Sequence, residues 1–214
     1  MRTVAALYVE KDGAYYGLPG VDPWDEARDA RLYKGPYPVV AHPPCQRWGR
    51  YSENHPIKGK IATTGDDGGC FAHALWAVRA LGGVIEHPKD SKAFGKEFGF
   101  GLGKPMAVGW TRSSDGIGWI CQVEQGHYGH FARKATWLYA AHCDLPSLTW
   151  GRSEQRLPAY AIERYGYAKA RRIGVMAAVG GKDKTRIRNA TPTPFRDLLI
   201  SMARSVDCEN REAA

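Results

Sequence analysis

The chain has 214 residues, 43% of them hydrophobic and 24% charged, enough for one core of ordinary size and a small appended lobe but not for a second full domain. Its mean hydropathy is −0.44 and no apolar run approaches the roughly 20 residues of a membrane span, so an integral membrane protein is not expected. Thirty Lys and Arg against 22 Asp and Glu leave a net charge of +8 and a pI near 9.3, which makes a polyanion, nucleic acid first, the natural class of partner.

Met1 to Glu10 carries one basic residue and a short apolar stretch that soon meets Glu10, Lys11 and Asp12, so it reads as a first strand, Val4–Val9, and not as a secretory signal. Tyr37-Pro38-Val39-Val40-Ala41-His42 is a second short strand, running into the double proline Pro43-Pro44. Phe71, Leu75, Val78 and Leu81 follow helical spacing, with Asp66 or Asp67 to cap the start and Gly82-Gly83 to stop it. Val84-Ile85-Glu86-His87-Pro88 follows at once as a strand ending at a carboxylate, giving the strand, loop, helix, strand succession of an α/β protein.

Asp90 to Ser114 is glycine-rich without a sustained period and reads as loop with one short helix at most. Trp119–Glu124 and Ala135–Ala141 are strand candidates whose linking segment, Gln125 to Lys134, suits an antiparallel hairpin. Beyond Pro146 the pattern weakens until Thr193 caps, and Pro194 opens, a final helix with the apolar face Phe195, Leu198, Leu199, Met202 and Val206. Residues 207–214 are expected to fray. The five cysteines, Cys45, Cys70, Cys121, Cys143 and Cys208, are odd in number and form no Cys-x-x-Cys pair, which fits a reducing cytoplasm.

Three constellations carry chemistry. Val39 to Gln46 delivers the Cys45 thiol on a proline-stiffened loop at a strand's carboxyl end, where open α/β sheets bind ligands. It is either a nucleophile, given cations to lower its pKa, or a structural cysteine after a turn. Glu86 ends the next strand and, with a right-handed crossover, lies at the same edge. It is either a solvent-facing strand end or a partly desolvated carboxyl able to hold a proton near neutral pH and bind a ring nitrogen. The hairpin Gly126 to Lys134 offers Arg133 and Lys134 to a phosphate or a base oxygen, if it is more than a solvated turn.

In order and spacing these segments resemble the DNA cytosine-carbon-5 methyltransferases. Pro43-Pro44-Cys45-Gln46 follows one strand, Glu86 ends the next, and Tyr128-Gly129 leads to Arg133-Lys134 in the hairpin. Arg188-Asn189-Ala190-Thr191-Pro192-Thr193-Pro194-Phe195 is similar to the family's closing Gly-Asn-Ala-Val-Pro-Pro motif. Ile85-Glu86-His87-Pro88 and Lys134-Ala135-Thr136 also resemble segments of short, mostly phage-associated methyltransferase-like proteins. The similarity covers about residues 37–145 and 185–206.

The resemblance implies a reduced Rossmann-like methyltransferase core with a mostly parallel sheet and an antiparallel hairpin near the end. The activity it implies is a covalent attack on a cytosine flipped out of double-stranded DNA. Cys45 would attack carbon 6, Glu86 would hold N3 and the exocyclic amine, and Arg133 or Lys134 would hold O2. Pro43, Pro44, Gln46, Trp48 and His87 would line the base pocket, with S-adenosylmethionine as methyl donor contacted by Asp22, Asp25 and Asn189.

The family's glycine-rich cofactor turn is missing, since the first strand runs into Tyr8 to Gly17; Gly17 to Asp25 is the candidate for a shortened substitute. The hairpin lacks the family's Gln just before its Arg, and His87 follows Glu86 where Asn is usual. A different group donor is therefore a variant of the reading, and a catalytically silent DNA-binding protein with a degenerate fold its alternative. Lys169, Arg171, Arg172, Lys182, Lys184, Arg186 and Arg188, beside the Gly180-Gly181 tip, suit contact with a phosphate backbone. The domain reading is a core of 1–145 plus 185–206, a basic recognition segment 146–184 and a disordered tail 207–214, in a monomer. Cys121, His127, His130 and Cys143 match no common zinc spacing, and no metal is expected.

Overall fold

A computed structural model describes residues 1–49, 52, 56–57, 60–61, 63–154, 156–157, 159–173 and 188–207. Seven strands form one sheet in the order β2-β1-β3-β6-β9-β8-β7. They are β1 (Val4–Leu7), β2 (Val21–Trp24), β3 (Val39–Ala41), β6 (Gly83–Pro88), β7 (Thr111–Arg112), β8 (Trp119–Glu124) and β9 (Ala135–Ala141). A separate two-residue pair, β4 (Pro56–Ile57) and β5 (Lys60–Ile61), lies between β3 and β6 in the chain. Among the described residues the helices include α1 (Cys70–Leu81), α2 (Ala159–Tyr165), α3 (Tyr167–Ile173) and α4 (Thr193–Arg204).

The protein is α/β with a mixed sheet. β2, β1, β3 and β6 run parallel, whereas β9, β8 and β7 pair antiparallel, so the expected mostly parallel sheet is half antiparallel. Its strands have little sequence of their own outside the core, and period-two alternation sorts them onto two faces. Ala5, Leu7, Val39, Ala41, Ile85, Ile120 and Tyr139 pack with α1, while Val4, Ala6, Val40, Val84, Cys121, Val123 and Leu138 pack with α4. β2, an edge strand of four half-buried residues with Pro23 inside it, carries no such alternation, and edge position is where a strand proline is tolerated.

α1 begins where the Asp67 carboxylate accepts the N–H groups of Gly69 and Phe71. It ends at Gly82 (φ 78°), whose N–H returns to Val78 O. Gly83 (φ 125°) then opens β6 so close to β3 that a Cβ would lie 1.9 Å from Val39 O, a contact only glycine permits. α4 starts at Thr193 itself with Pro192 before it, so Thr193 is inside the helix and makes no cap. No described helix is long and apolar enough to cross a membrane.

Candidate active site

The alternation that fills the α4 face with aliphatic residues continues past the strands' carboxyl edge with polar ones. Val40 is followed two residues on by His42 and Val84 by Glu86, in a register that pairs Val40 with Val84. Val123 is followed by Gln125, and Thr136 precedes Leu138, with Val123 opposite Thr136. Four polar side chains from four neighbouring segments therefore meet above one end of the apolar layer.

Glu86 is their centre. Its Oε1 accepts from Gln125 Nε2 at 2.8 Å and lies 3.2 Å from the Thr136 hydroxyl, and its Oε2 lies 3.2 Å from His42 Nδ1. His42 Nε2 lies 2.7 Å from the hydroxyl of Tyr15, a residue 3% exposed. Burial pushes the Glu86 carboxyl up, but the His42 hydrogen bond and the nearby charges of Lys134 and His42 outweigh it and hold the group at about 2. Glu86 is thus an ionised acceptor at neutral pH, neither the solvent-facing strand end nor the proton-holding carboxyl that the sequence left open.

Cys45 stands in a turn in which the Trp48 N–H reaches back to Cys45 O at 3.0 Å. Burial pushes its thiol up and the Glu86 charge adds to this, while its own N–H, Lys134 and Arg188 pull the other way. Lys134 has its ammonium lowered by burial, with Glu86 and Cys45 opposing. Its backbone sits in the left-handed region (φ 42°), and its Nζ donates to the carbonyls of Asn189 at 3.1 Å and Ala190 at 2.8 Å. Glu86, Lys134 and Arg188 thus each lie close enough to act on the Cys45 thiol, and Glu86 and Lys134 on each other, although they come from the three constellations and the closing motif.

Arg133 goes elsewhere. Its Nε donates to Ser153 O at 2.9 Å and it lies 4.0 Å from Glu124, on the other side of the hairpin. Of the Arg133-Lys134 pair, Lys134 is the cation at the site. Pro43 is buried, while Pro44 and Gln46 are exposed beside Cys45. Trp48 is not a pocket wall: it is 2% exposed, packs on Phe71, Phe98 and Phe100, and donates its N–H to Asp67. His87 alternates away from Glu86 onto the α1 face, 1% exposed, against Phe71 and with Nδ1 2.6 Å from Ser91 Oγ. Its Nε2 faces the carbonyls of Pro43 and Pro44 without a well-formed hydrogen bond, so it props the cysteine loop from within the core rather than touching a base.

The expected cofactor residues are engaged by their neighbours. Asp22 holds Arg28 at 2.6 Å and the Trp24 N–H at 2.8 Å, and Asp25 accepts from the Tyr16 hydroxyl and the Arg28 N–H. The chain turns one way from β1 to β2 and the other way to β3, so the crevice outside β1 and β3 is the usual ligand position. Beyond the β1 end, Tyr15 is bonded to His42 at 2.7 Å and Tyr8 to His73 at 3.0 Å. Asn189 offers only its carbonyl to Lys134.

Among the basic residues, Lys169 and Arg171 are exposed on α3, Arg172 is also on α3, and Arg188 is exposed beside the site. Lys182, Lys184, Arg186 and the Gly180-Gly181 tip lie outside the described residues. Cys121 is buried in the core, Cys143 donates to Gly83 O and His127 meets Gly151 O, so the conceivable zinc ligands are dispersed. His42, Tyr15, Gln125 and Thr136 are the site residues that sequence reasoning passed over. For three of them the signal was present, as polar residues two places from apolar ones along legible strands. No family model, characterised protein or solved structure matches the chain.

Proposed function

We propose that the chain modifies a cytosine, or a related pyrimidine, turned out of double-stranded DNA, through a covalent adduct at Cys45. The observation that carries this is that Glu86 and Lys134, an acceptor and a cation, both lie close enough to act on the Cys45 thiol. The thiol loses its proton to solvent and Sγ bonds carbon 6. The C5=C6 electron pair moves through C4 to N3, which takes a proton at the Glu86 carboxyl. Lys134 leaves its two carbonyls to hold O2 as charge builds on the ring, and Arg188 with Lys169 and Arg171 meets phosphates. In this reading the α/β sheet is a reduced Rossmann-like methyltransferase core whose group donor differs from the family's.

The enamine formed at C5 can take a proton from water before Sγ leaves, so the adduct is visible without any donor. Duplex DNA incubated with the chain in heavy water should gain deuterium at cytosine C5, and Cys45→Ser should gain none. Exchange that survives in Cys45→Ser, or no exchange by the unaltered chain, overturns the proposal. One observation favours a silent DNA binder, the engagement of Asp22 by Arg28 and Trp24 and of Asp25 by Tyr16 and Arg28. That reading expects salt-sensitive duplex binding with no exchange.

A further inference from the structure

We infer that His42 and Glu86 act as one proton-holding pair, and that the pair, backed by Tyr15, supplies the proton that cytosine N3 takes up when Cys45 adds. This rests on the covalent reading above and deepens it, by naming where that proton is kept.

An ionised carboxylate presents acceptors only. Cytosine N3 is itself an acceptor, so Glu86 as it stands has nothing to give it. The remedy is built beside it, because His42 Nδ1 lies 3.2 Å from Glu86 Oε2. When the pair carries one proton more than carboxylate and neutral imidazole together, the ring is an imidazolium and Glu86 stays ionised. As N3 approaches Glu86, the Nδ1 proton passes to Oε2 and the carboxyl proton bonds N3. The pair falls by one proton, N3 gains one, and the negative charge that the Cys45 thiolate loses on bonding carbon 6 ends on the pair, so the substrate ring stays neutral.

Tyr15 makes both states equally well bonded. Its hydroxyl, 2.7 Å from His42 Nε2, accepts from Nε2–H in the imidazolium and again in the neutral ring left when Nδ1 has given up its proton. No heavy atom has to move. Burial holds the Tyr15 phenol far above its ordinary value, with the Glu86 charge adding to this, so it serves as a partner at both ends of the transfer and does not itself ionise. Gln125 Nε2 and the Thr136 hydroxyl both bond Oε1, which fixes the carboxylate and leaves the second position on Oε2 for N3.

The charged and titratable groups that face this pair are few. Lys134 from the hairpin turn, His87 from β6 and Cys45 from its loop act on or with Glu86, and Arg196 and Asp197 from α4 act on Tyr15 with opposite signs. The Lys134 ammonium is bonded to the Asn189 and Ala190 carbonyls, and His87 lies on the far face, so neither touches Glu86 directly. His42 is the one described side chain in hydrogen-bond contact with Glu86 that can hold an extra proton.

The test is the pH profile of deuterium exchange at cytosine C5. The unaltered chain should give a bell, rising as the Cys45 thiol ionises and falling as the pair loses its proton. His42→Asn should lose on the order of a hundredfold at neutral pH, with its falling limb moved to more acid pH where Glu86 must be protonated alone. Tyr15→Phe should keep the limb and lose only a few-fold. A His42→Asn protein that melts and binds duplex DNA normally, yet keeps the original falling limb, overturns the pair while leaving the covalent reading standing. No exchange by the unaltered chain at any pH overturns both. A second measurement needs no activity: nitrogen NMR of the His42 ring in the free protein should show the ring taking up a second proton while the protein stays folded, with its Nδ1–H bonded to Glu86. A ring that takes up no second proton before the protein unfolds has none to hand to Glu86 and also overturns the pair.

Discussion

Glu86 and His87 are neighbours on one strand, both taken out of bulk water, and they end in opposite charge states. Glu86 faces the α4 side among donors, and its carboxyl is held at about 2 despite the burial that pushes it up. His87 faces the α1 side among Phe71, Phe94 and Trp137, and burial lowers it to about 4, so it is neutral at physiological pH. Desolvation opposes charge in both. What differs is the next layer: the α4 face offers Glu86 an imidazole, an amide and a hydroxyl, whereas the α1 face offers His87 rings and one serine. One sheet thus carries a polar, chargeable edge on one side and a dry support for the Cys45 loop on the other.

The comparison breaks hardest if the dry face is opened. Phe71 is fully buried and touches Trp48, His87, Phe94 and Phe100. Phe71→Ala should cost about 3–5 kcal/mol in urea unfolding. It should also let His87 titrate closer to its ordinary value, which proton NMR of the ring would follow. A loss below about 1 kcal/mol, outside the range for such deletions, would mean that the aromatic layer does not support the loop.

Acid should then separate the two faces. Both groups have folded values below their ordinary ones, so the unfolded chain takes up each proton first as pH falls. Stability is intact above the ordinary value and is lost on the way down to the folded one. For His87 that window runs from 6.5 to about 4, and for Glu86 from 4.5 to about 2. Each is worth about 3 kcal/mol at its full extent. His87→Leu should flatten the upper window alone and Glu86→Gln the lower one alone, as read from urea midpoints across both. A single variant that flattened both would show the two residues titrating as one unit and remove the distinction between faces.

This division also explains what could be read from the sequence. β1, β3, β6, β8, β9, α1 and α4 were legible because each carries a sustained apolar run or period. β2 was not, since an edge strand with a proline has no alternation to display, and α2 and α3 bury little beyond Ala161 and Ala170. Cys45, Glu86 and Lys134 could be singled out because each ends or adjoins a legible strand. Their partners depend on register: His42, Gln125 and Thr136 matter because they fall on the same face as Glu86, which only the pairing of β3, β6, β9 and β8 decides. Trp48 misled for the opposite reason, being close to Cys45 in sequence while its ring turns into the α1-side core.

The finest test compares two hydroxyls. Ser91 Oγ is bonded to His87 Nδ1 and also accepts the Ala93 N–H, and the other His87 nitrogen has no hydrogen-bond partner. Ser91→Ala therefore leaves a fully enclosed imidazole with nothing, and should cost about 1–3 kcal/mol. Thr136→Val removes a hydroxyl of the same kind from Glu86, yet the carboxylate keeps Gln125 and His42. That loss should stay near 1 kcal/mol or below, because the remaining donors close around the same charge. The order of the two costs follows from the number of partners left behind, not from burial, since Thr136 is the more enclosed of the pair at 0% exposure against 5% for Ser91. If Thr136→Val proved the costlier change, enclosure rather than partner count would govern both faces, and the α4 edge would have to be regarded as a strained core site instead of a pre-bonded one.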